Sequence, residues 1–355
     1  MTLDLLAHLK ALSAAPGLSG YEGPVREVIR PAWQPLADEL HQDPLGTLWA
    51  LHRGHGPEPR PRLMLAAHMD AIGMMVTRRE GEFLRVTSIG GIDPRVLPGQ
   101  LVTVHGREDI PGVVGLPPSF LLPKAKRDSV APLGELLVDT GLTAERLGQL
   151  AQTGDLVSFA QPPVELLNEQ LAAKSLDNRA SVAALTVCLE ALHGRPHAWD
   201  VLAVATVQEE IGLRGAGTSA FSLRPDVAVA VDVTFGSDAN TREFSHRTLP
   251  LGGGPALGLG PNIHSGLHAA FKACAARAEI PYSVEVMPGH SGTDAFAIQV
   301  AREGIPTMVV SIPLRSMHTP VEVVAIKDIA RTGRLLAEFA IHDLDGHFMQ
   351  SLTLD

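Results

Sequence analysis

Four apolar runs constrain this chain more than any other feature, because each leads within a few residues to a histidine or a carboxylate. PRLMLAAHMD ends on His68 and Asp70, and VLAVATVQEE ends on Glu209 and Glu210. DVAVAVDV carries Asp232 near its end, and IPTMVVSIP leads on to His318. Runs that are apolar at both odd and even positions have no face to give to water. They read as strands buried on both sides, the pattern of a parallel-type sheet under helices. Ligands of open α/β sheets bind in the crevice beyond the carboxyl ends of the strands. One sheet edge is therefore expected to collect two histidines and four acidic side chains. That is a donor set for metal, with a carboxylate left over for proton transfer.

A chain of 355 residues exceeds what one hydrophobic core usually holds, so two domains are expected. Hydrophobic residues at 45% and charged residues at 19% suffice for a buried core under a wettable surface. A formal net charge of −10, with no polybasic stretch, argues against nucleic acid and against an anionic membrane surface as partners. No run reaches the roughly 18 apolar residues of a membrane span. The segment MTLDLLAHLKALSAAPG has an early acid and no basic region ahead of its apolar residues. A secretory signal is thus not expected, and the expected location is the cytoplasm. Cys188 and Cys274 sit inside apolar helical patterns and should pack rather than bridge or react.

Helical spacing predicts helices over about 2–14, 24–39, 178–192, 265–279, 293–303 and 326–342, and buried strands over 62–67, 200–207, 226–233 and 307–312. A further strand is expected near Thr47–His52. Between 72 and 163 the character changes. A hairpin is expected to turn at Glu80–Gly81, and LVTVHG, PGVVG and GDLVSFA are short strands between Gly, Pro and Asp turns, with one helix-like piece near 132–150. The expected organisation is an α/β domain built from 1–71 and 164–355, interrupted by a small β-rich domain at 72–163.

Each candidate residue also has an ordinary reading. His68 and Asp70 are two apart, so at an extended strand end they point to the same side. His68 can then bind metal while Asp70 accepts its other ring N–H; a lone pair of this kind is more often structural. Glu209 and Glu210 are adjacent carboxylates that repel unless a cation is near. Neighbours on an extended chain point apart, so one can ligate while the other serves as base; the alternative is a solvated strand end. Asp177, in KSLDNRAS ahead of a helical run, suits a helix cap or first-turn acid, and that role leaves it able to bridge two ions. Asp232 ends a buried strand, where a charge is rarely left unpaired. His318, before Thr-Pro, reads alone as a loop residue.

AHMDAIG, KSLDNRAS, TVQEEIGLRGA, VAVDVT, GTDAFAIQ and IPLRSMHTPVE together resemble, in order and spacing, the co-catalytic dimetal aminopeptidases of the tetrahedral type. That family includes glutamyl and deblocking aminopeptidases and some members once labelled endoglucanases. The resemblance covers nearly the whole chain, from APGLSGYEGPVRE onward. It implies an α/β fold with a mixed sheet flanked by helices, of the zinc-exopeptidase kind, and assigns the 72–163 block to dimerisation. It implies that His68 and Asp232 hold one ion, Glu210 and His318 a second, and Asp177 bridges them. Glu209 matches the general base and Asp70 the carboxylate behind His68. A dodecamer is implied, with a dimer as the alternative. Ala71 stands where the family often has Glu, and Ser316-Met317-His318-Thr319 replaces a Tyr-Met-His-Ser pattern. Neither departure removes a ligand; both bear on substrate preference.

The reaction so implied is removal of N-terminal residues from peptides with a free amine. Two divalent ions, Zn²⁺ first and Co²⁺ or Mn²⁺ as alternatives, would hold a water that becomes the attacking hydroxide when Glu209 takes its proton. The main rival is another dimetal exopeptidase or deacylase of the carboxypeptidase or dipeptidase type, which needs a cationic anchor such as Arg214 or Arg315. A glycosidase fits poorly, since its two carboxyls must flank the bond about 5–9.5 Å apart rather than bunch around metals. The loops His290–Asp294 and Pro313–His318 are expected to line the pocket for the N-terminal side chain. With Arg315 the only permanent cation there and Phe296, Ile312 and Met317 nearby, neutral and apolar residues are expected first, leucine foremost.

Overall fold

The computed structural model describes residues 3–342 apart from 128 and 245–247, together with Phe348. Residue 2 of the first expected helix and the 343–355 end of the outer domain, Phe348 apart, lie outside the described residues. Eight helices are described: α1 Leu5–Ala14, α2 Gly23–Trp33, α3 Ala144–Leu150, α4 Leu176–Leu192, α5 Arg214–Leu223, α6 Ser265–Arg277, α7 Asp294–Gln299 and α8 Ile326–His342. The first strands are β1 Glu39–Gln42, β2 Leu48–His52 and β3 Arg62–His68. Six strands follow: β4 Gly73–Glu80, β5 Phe83–Ile89, β6 Leu101–His105, β7 Asp109–Gly115, β8 Leu137–Asp139 and β9 Leu156–Phe159. The remainder are β10 Val164–Leu166, β11 Gln170–Ala173, β12 Asp200–Thr206, β13 Val227–Phe235, β14 Ala256–Leu259, β15 Ser283–Val286, β16 Thr307–Arg315 and β17 Glu322–Ala325.

Eleven strands form one mixed sheet in the order β1-β2-β12-β3-β13-β16-β17-β11-β10, with β14 paired to β16 and β15 paired to β14. Its centre is parallel: β12 with β3, β3 with β13, and β13 with β16. All seven residues of β12 are buried. Alternation explains why. Leu63 and Leu65 of β3 join the core under α4 and α8, whereas Met64 and Ala66 join a second core under α5 and α7. The packing of α8 on α4 depends on a glycine. A Cβ at Gly333 of α8 would lie 2.5 Å from the Ala184 carbonyl oxygen of α4, so only glycine lets the two backbones meet.

Strands β4-β5-β8-β7-β6-β9 close into a separate barrel with its own core, including Met74, Leu84, Val102, Val138 and Val157. Closure removes the free edges that such short strands would otherwise expose. It leaves the sheet domain after β3 and returns before β10.

Several elements differ from the sequence expectation. The helix expected over 24–39 ends at Trp33, passes into a 3-10 turn at Gln34–Leu36 and gives way to β1. Pro35 explains the stop, because it has no N–H and its ring would meet the carbonyl four residues back. The piece near 132–150 is a 3-10 turn, β8 and a short α3 whose Thr143 side chain accepts from the Arg146 N–H. Over 293–303 the helix is only Asp294–Gln299, and Arg302 and Gly304 beyond it have positive φ. Helix α5 was not expected from RGAGTSAFSL, which is poor in helix formers; it exists because Ala216 and Ala220 pack on the sheet.

Candidate metal centre

The register of the parallel strands builds the site. Thr206 pairs with His68 at the ends of β12 and β3, so Glu209 and Glu210 emerge just past His68. Asp232 lies near the end of β13 beside Ser311 of β16. Asp177 is in the first turn of α4, where the helix is kinked at Asp177 and Asn178, and His318 follows β16 with a φ of 60°.

Asp177 is the pivot. Its Oδ1 lies 3.1 Å from His68 Nε2 and its Oδ2 lies 3.2 Å from His318 Nε2. His68 Nε2 is also 3.8 Å from Glu209 Oε2 and 3.8 Å from Asp232 Oδ1, and His318 Nε2 is 3.6 Å from Glu210 Oε2. Two overlapping triads, His68–Asp177–Asp232 and Asp177–Glu210–His318, each have donor atoms within 4.8 Å of one another. A third grouping, His68–Glu209–Glu210, meets the same distance.

Asp70 lies behind His68, with a wider task than sequence spacing indicated. His68 Nδ1 is 3.2 Å from the Asp70 main-chain oxygen and 3.5 Å from its carboxylate Oδ1. The carboxylate accepts from Ser19 Oγ at 2.6 Å and from the N–H groups of Glu209 at 3.0 Å and Glu210 at 3.2 Å. It therefore fixes the backbone that presents both glutamates.

Further residues complete the frame without having stood out in the sequence. Glu322, buried at the start of β17, accepts from the Asp177 N–H at 3.0 Å and the His318 N–H at 2.9 Å. One carboxylate thus braces two of the candidate ligands from behind. An acid ahead of an apolar strand reads as solvated, so only the fold reveals this role. Glu22 accepts from the Gln208 N–H at 3.1 Å, next to Glu209. Arg179 is fully buried and donates to the carbonyls of Met69, Leu12, Ala15 and Gly17, tying α1 and its following loop to the end of β3. The barrel domain contributes as well. A Cβ at Gly91 would lie 3.2 Å from His318 Nδ1, so this loop packs against that candidate ligand.

The electrostatics are those of excess negative charge. Burial pushes the Glu209 carboxyl up to about 10, and the neighbouring Asp232, Asp294 and Glu210 add to it. Burial and then Asp177 raise Glu210 to about 7. Burial raises Asp232 well above the carboxylate range. The bond to Asp177 raises His318 to about 9. Burial opposes charge on His68, but Glu209 and Asp177 outweigh it and raise this histidine too. Asp177 alone among the candidate ligands is pulled down; burial resists, and its bonds to His318 and His68 prevail. The cleft above holds about 880 Å³, and no lysine or arginine lines it among the described residues. Carboxylates buried this way call for cations that the chain itself does not provide. The donor set of carboxylate oxygens and imidazole nitrogens fits divalent metal.

A parallel-centred α/β sheet carrying such a cluster beyond its strand ends suits metal-assisted hydrolysis. Comparison narrows this. Residues 46–335 match the M42 glutamyl aminopeptidase family. The chain is 36% identical over 336 residues to a lysyl aminopeptidase of Pyrococcus furiosus, covering 92% of this chain and 94% of the relative. It superposes with a TM-score of 0.91 on a TET aminopeptidase from a marine sediment archaeon, Thaumarchaeota archaeon SCGC AB-539-E09, at 30% identity and 98% and 99% coverage. The TM-score is 0.83 against PhTET1-12s, solved with a dodecamer in the asymmetric unit, at 29% identity and 96% and 100% coverage. The chain belongs to the M42 family and is a metal-dependent aminopeptidase.

Proposed function

We propose that the protein removes N-terminal residues from peptides at a centre of two divalent ions, Zn²⁺ by preference and Co²⁺ or Mn²⁺ as alternatives. His68, Asp177 and Asp232 would hold one ion, and Asp177, Glu210 and His318 the other, because these two triads share Asp177, whose two oxygens face His68 and His318. When bound, the ions supply Lewis acidity for the scissile carbonyl and lower the pKa of water. Glu209 then takes the proton of the attacking water and returns it to the leaving amine. Its neighbours argue for this division: Glu209 stands beside His68 but in neither overlapping triad, and cations beside it would draw its raised pKa back toward neutrality. Asp70 and Glu322 orient the ligands by holding their backbone N–H groups.

The observation that carries the exopeptidase reading is the absence of lysine or arginine among the described residues lining an acid-rich cleft. Such a cleft suits a free α-amine. A carboxypeptidase or dipeptidase needs a cation for the substrate carboxylate, yet Arg315 is turned to the Ser237 carbonyl and Arg214 to the Gln208 side chain, and neither lines the cleft. The test compares chromogenic amides with free and acetylated amino termini, using protein loaded with metal. Cleavage of the free-amine substrates only is the expected result; equal cleavage of the acetylated ones would favour the deacylase reading.

We assign the 72–163 barrel to self-association, because it is a separate closed unit beside the site and PhTET1-12s is solved as a dodecamer. Buried Cys188, which forms no disulfide, fits a reducing compartment, so the cytoplasm is the proposed location.

A further inference from the structure

We propose that Glu285 selects a cationic side chain, lysine or arginine, on the N-terminal residue of the peptide; this rests on the aminopeptidase reading above. Beyond the ligand cluster the cleft is largely apolar, with Val233, Phe235, Met287, Phe296 and Val300 in its walls. Glu285 is the one carboxylate lining it outside that cluster, among the described residues. It projects from β15 against β13, where Thr234 Oγ1 donates to its Oε1. Its other oxygen, Oε2, is buried and has no hydrogen-bond partner. The Ser311 hydroxyl lies near enough to help hold the charge, though outside hydrogen-bond geometry. Burial raises the Glu285 pKa, and the Thr234 and Ser311 hydroxyls only partly offset it. A buried acceptor without a donor is costly to leave unmade, and a turn of the Glu285 carboxylate toward a cation in the cleft would supply that donor.

The spacing suits a long amphipathic side chain. Asp232 and Thr234 are two residues apart on β13, so they lie on one face roughly 6.6 Å from each other. An N-terminal residue held at the cluster would thus have Glu285 in the same cleft, with apolar walls for its methylenes and an acid for its head. No lysine or arginine in the lining competes for that acid among the described residues. This departs from the leucine preference expected from the loops around His290 and His318. Glu285 lies on β15, a strand that the sequence pattern did not mark.

The test uses the full chain loaded with divalent metal and a pair of amides, lysine and norleucine, which share a four-carbon stem and differ in the ammonium. Lysine-amide should exceed norleucine-amide in kcat/KM by about 10- to 100-fold. Glu285→Gln should bring that ratio close to one, chiefly through KM for lysine, and Glu285→Lys should turn the preference toward glutamate-amide. A wild-type ratio near one, or a ratio that survives Glu285→Gln, would overturn the assignment while leaving the aminopeptidase reading intact. The wild-type pair decides even where a variant does not fold. Failure to cleave any free-amine amide would instead strike the aminopeptidase reading, and this inference with it.

Discussion

At the residue scale the centre is a set of largely buried acids in a cleft that no lysine or arginine lines among the described residues. Glu209 and Glu210 show how neighbours divide. Glu210 Oε2 faces His318, while Glu209 Oε2 faces His68 and stands outside both overlapping triads. Glu209→Gln is expected to retain metal and lose about 10²–10⁴-fold in kcat. Glu210→Gln is expected to lose metal. Elemental analysis of the two variants beside their kinetics checks this, and equal metal loss in both would contradict it. The same charges set a pH dependence for metal-free protein. Glu210 at about 7, Glu209 at about 10 and His318 at about 9 all keep protons that the unfolded chain releases earlier. Stability from each is present at low pH and lost as pH rises through its folded value. Tm of the chelated protein should therefore fall between pH 6 and 9, and added divalent ion should flatten the curve while releasing protons. A metal-free Tm that rises over this range would refute the charge balance. His68, Glu209, Glu210, Asp232 and His318 were legible as one edge, because each follows a run buried on both faces. Glu322 and Glu285 were not, since an acid flanking or inside a short strand has the pattern of a solvated one.

Elements were legible where pattern and packing agree. The strands β3, β12, β13 and β16 carry apolar residues at both odd and even positions through most of their length and are buried along their central lengths. The strands β10, β11, β14, β15 and β17 have three or four residues each, too few for a period of two to declare itself. Helix α5 depends on tertiary contact against weak propensity. The packing of α4 on α8 gives a direct check. Gly333→Val would press a branched side chain onto the Ala184 carbonyl and the Val187 side chain. Overpacking of this kind costs about 1–3 kcal/mol, and a backbone neighbour that cannot yield places it at the upper end. Urea unfolding should show the midpoint falling with the slope unchanged; a midpoint like that of wild type would mean the helices separate freely.

At the scale of the whole molecule, a sheet domain supplies the candidate ligands and a barrel between β3 and β10 packs its Gly91 loop against His318. The insertion was expected at 72–163 because composition there turns from long apolar runs to short Gly- and Pro-spaced strands, and the barrel strands run from Gly73 to Phe159. Closure of those strands into a barrel was not, since closure is set by pairing between strands distant in sequence, β4 with β9 among them. If the barrel joins subunits, deleting 72–163 should reduce the particle mass in light scattering to that of a smaller species, and an unchanged mass would contradict that role. The central claim is that five side chains from β3, β13, the first turn of α4 and the loops after β12 and β16 bind two ions together. Metal content per chain, measured after chelation and reloading with Zn²⁺ or Co²⁺, tests it most directly. Two ions per chain, falling on substitution of Asp177 by more than on substitution of Glu209, is the expected result; one ion or none in the reloaded wild-type protein would contradict it.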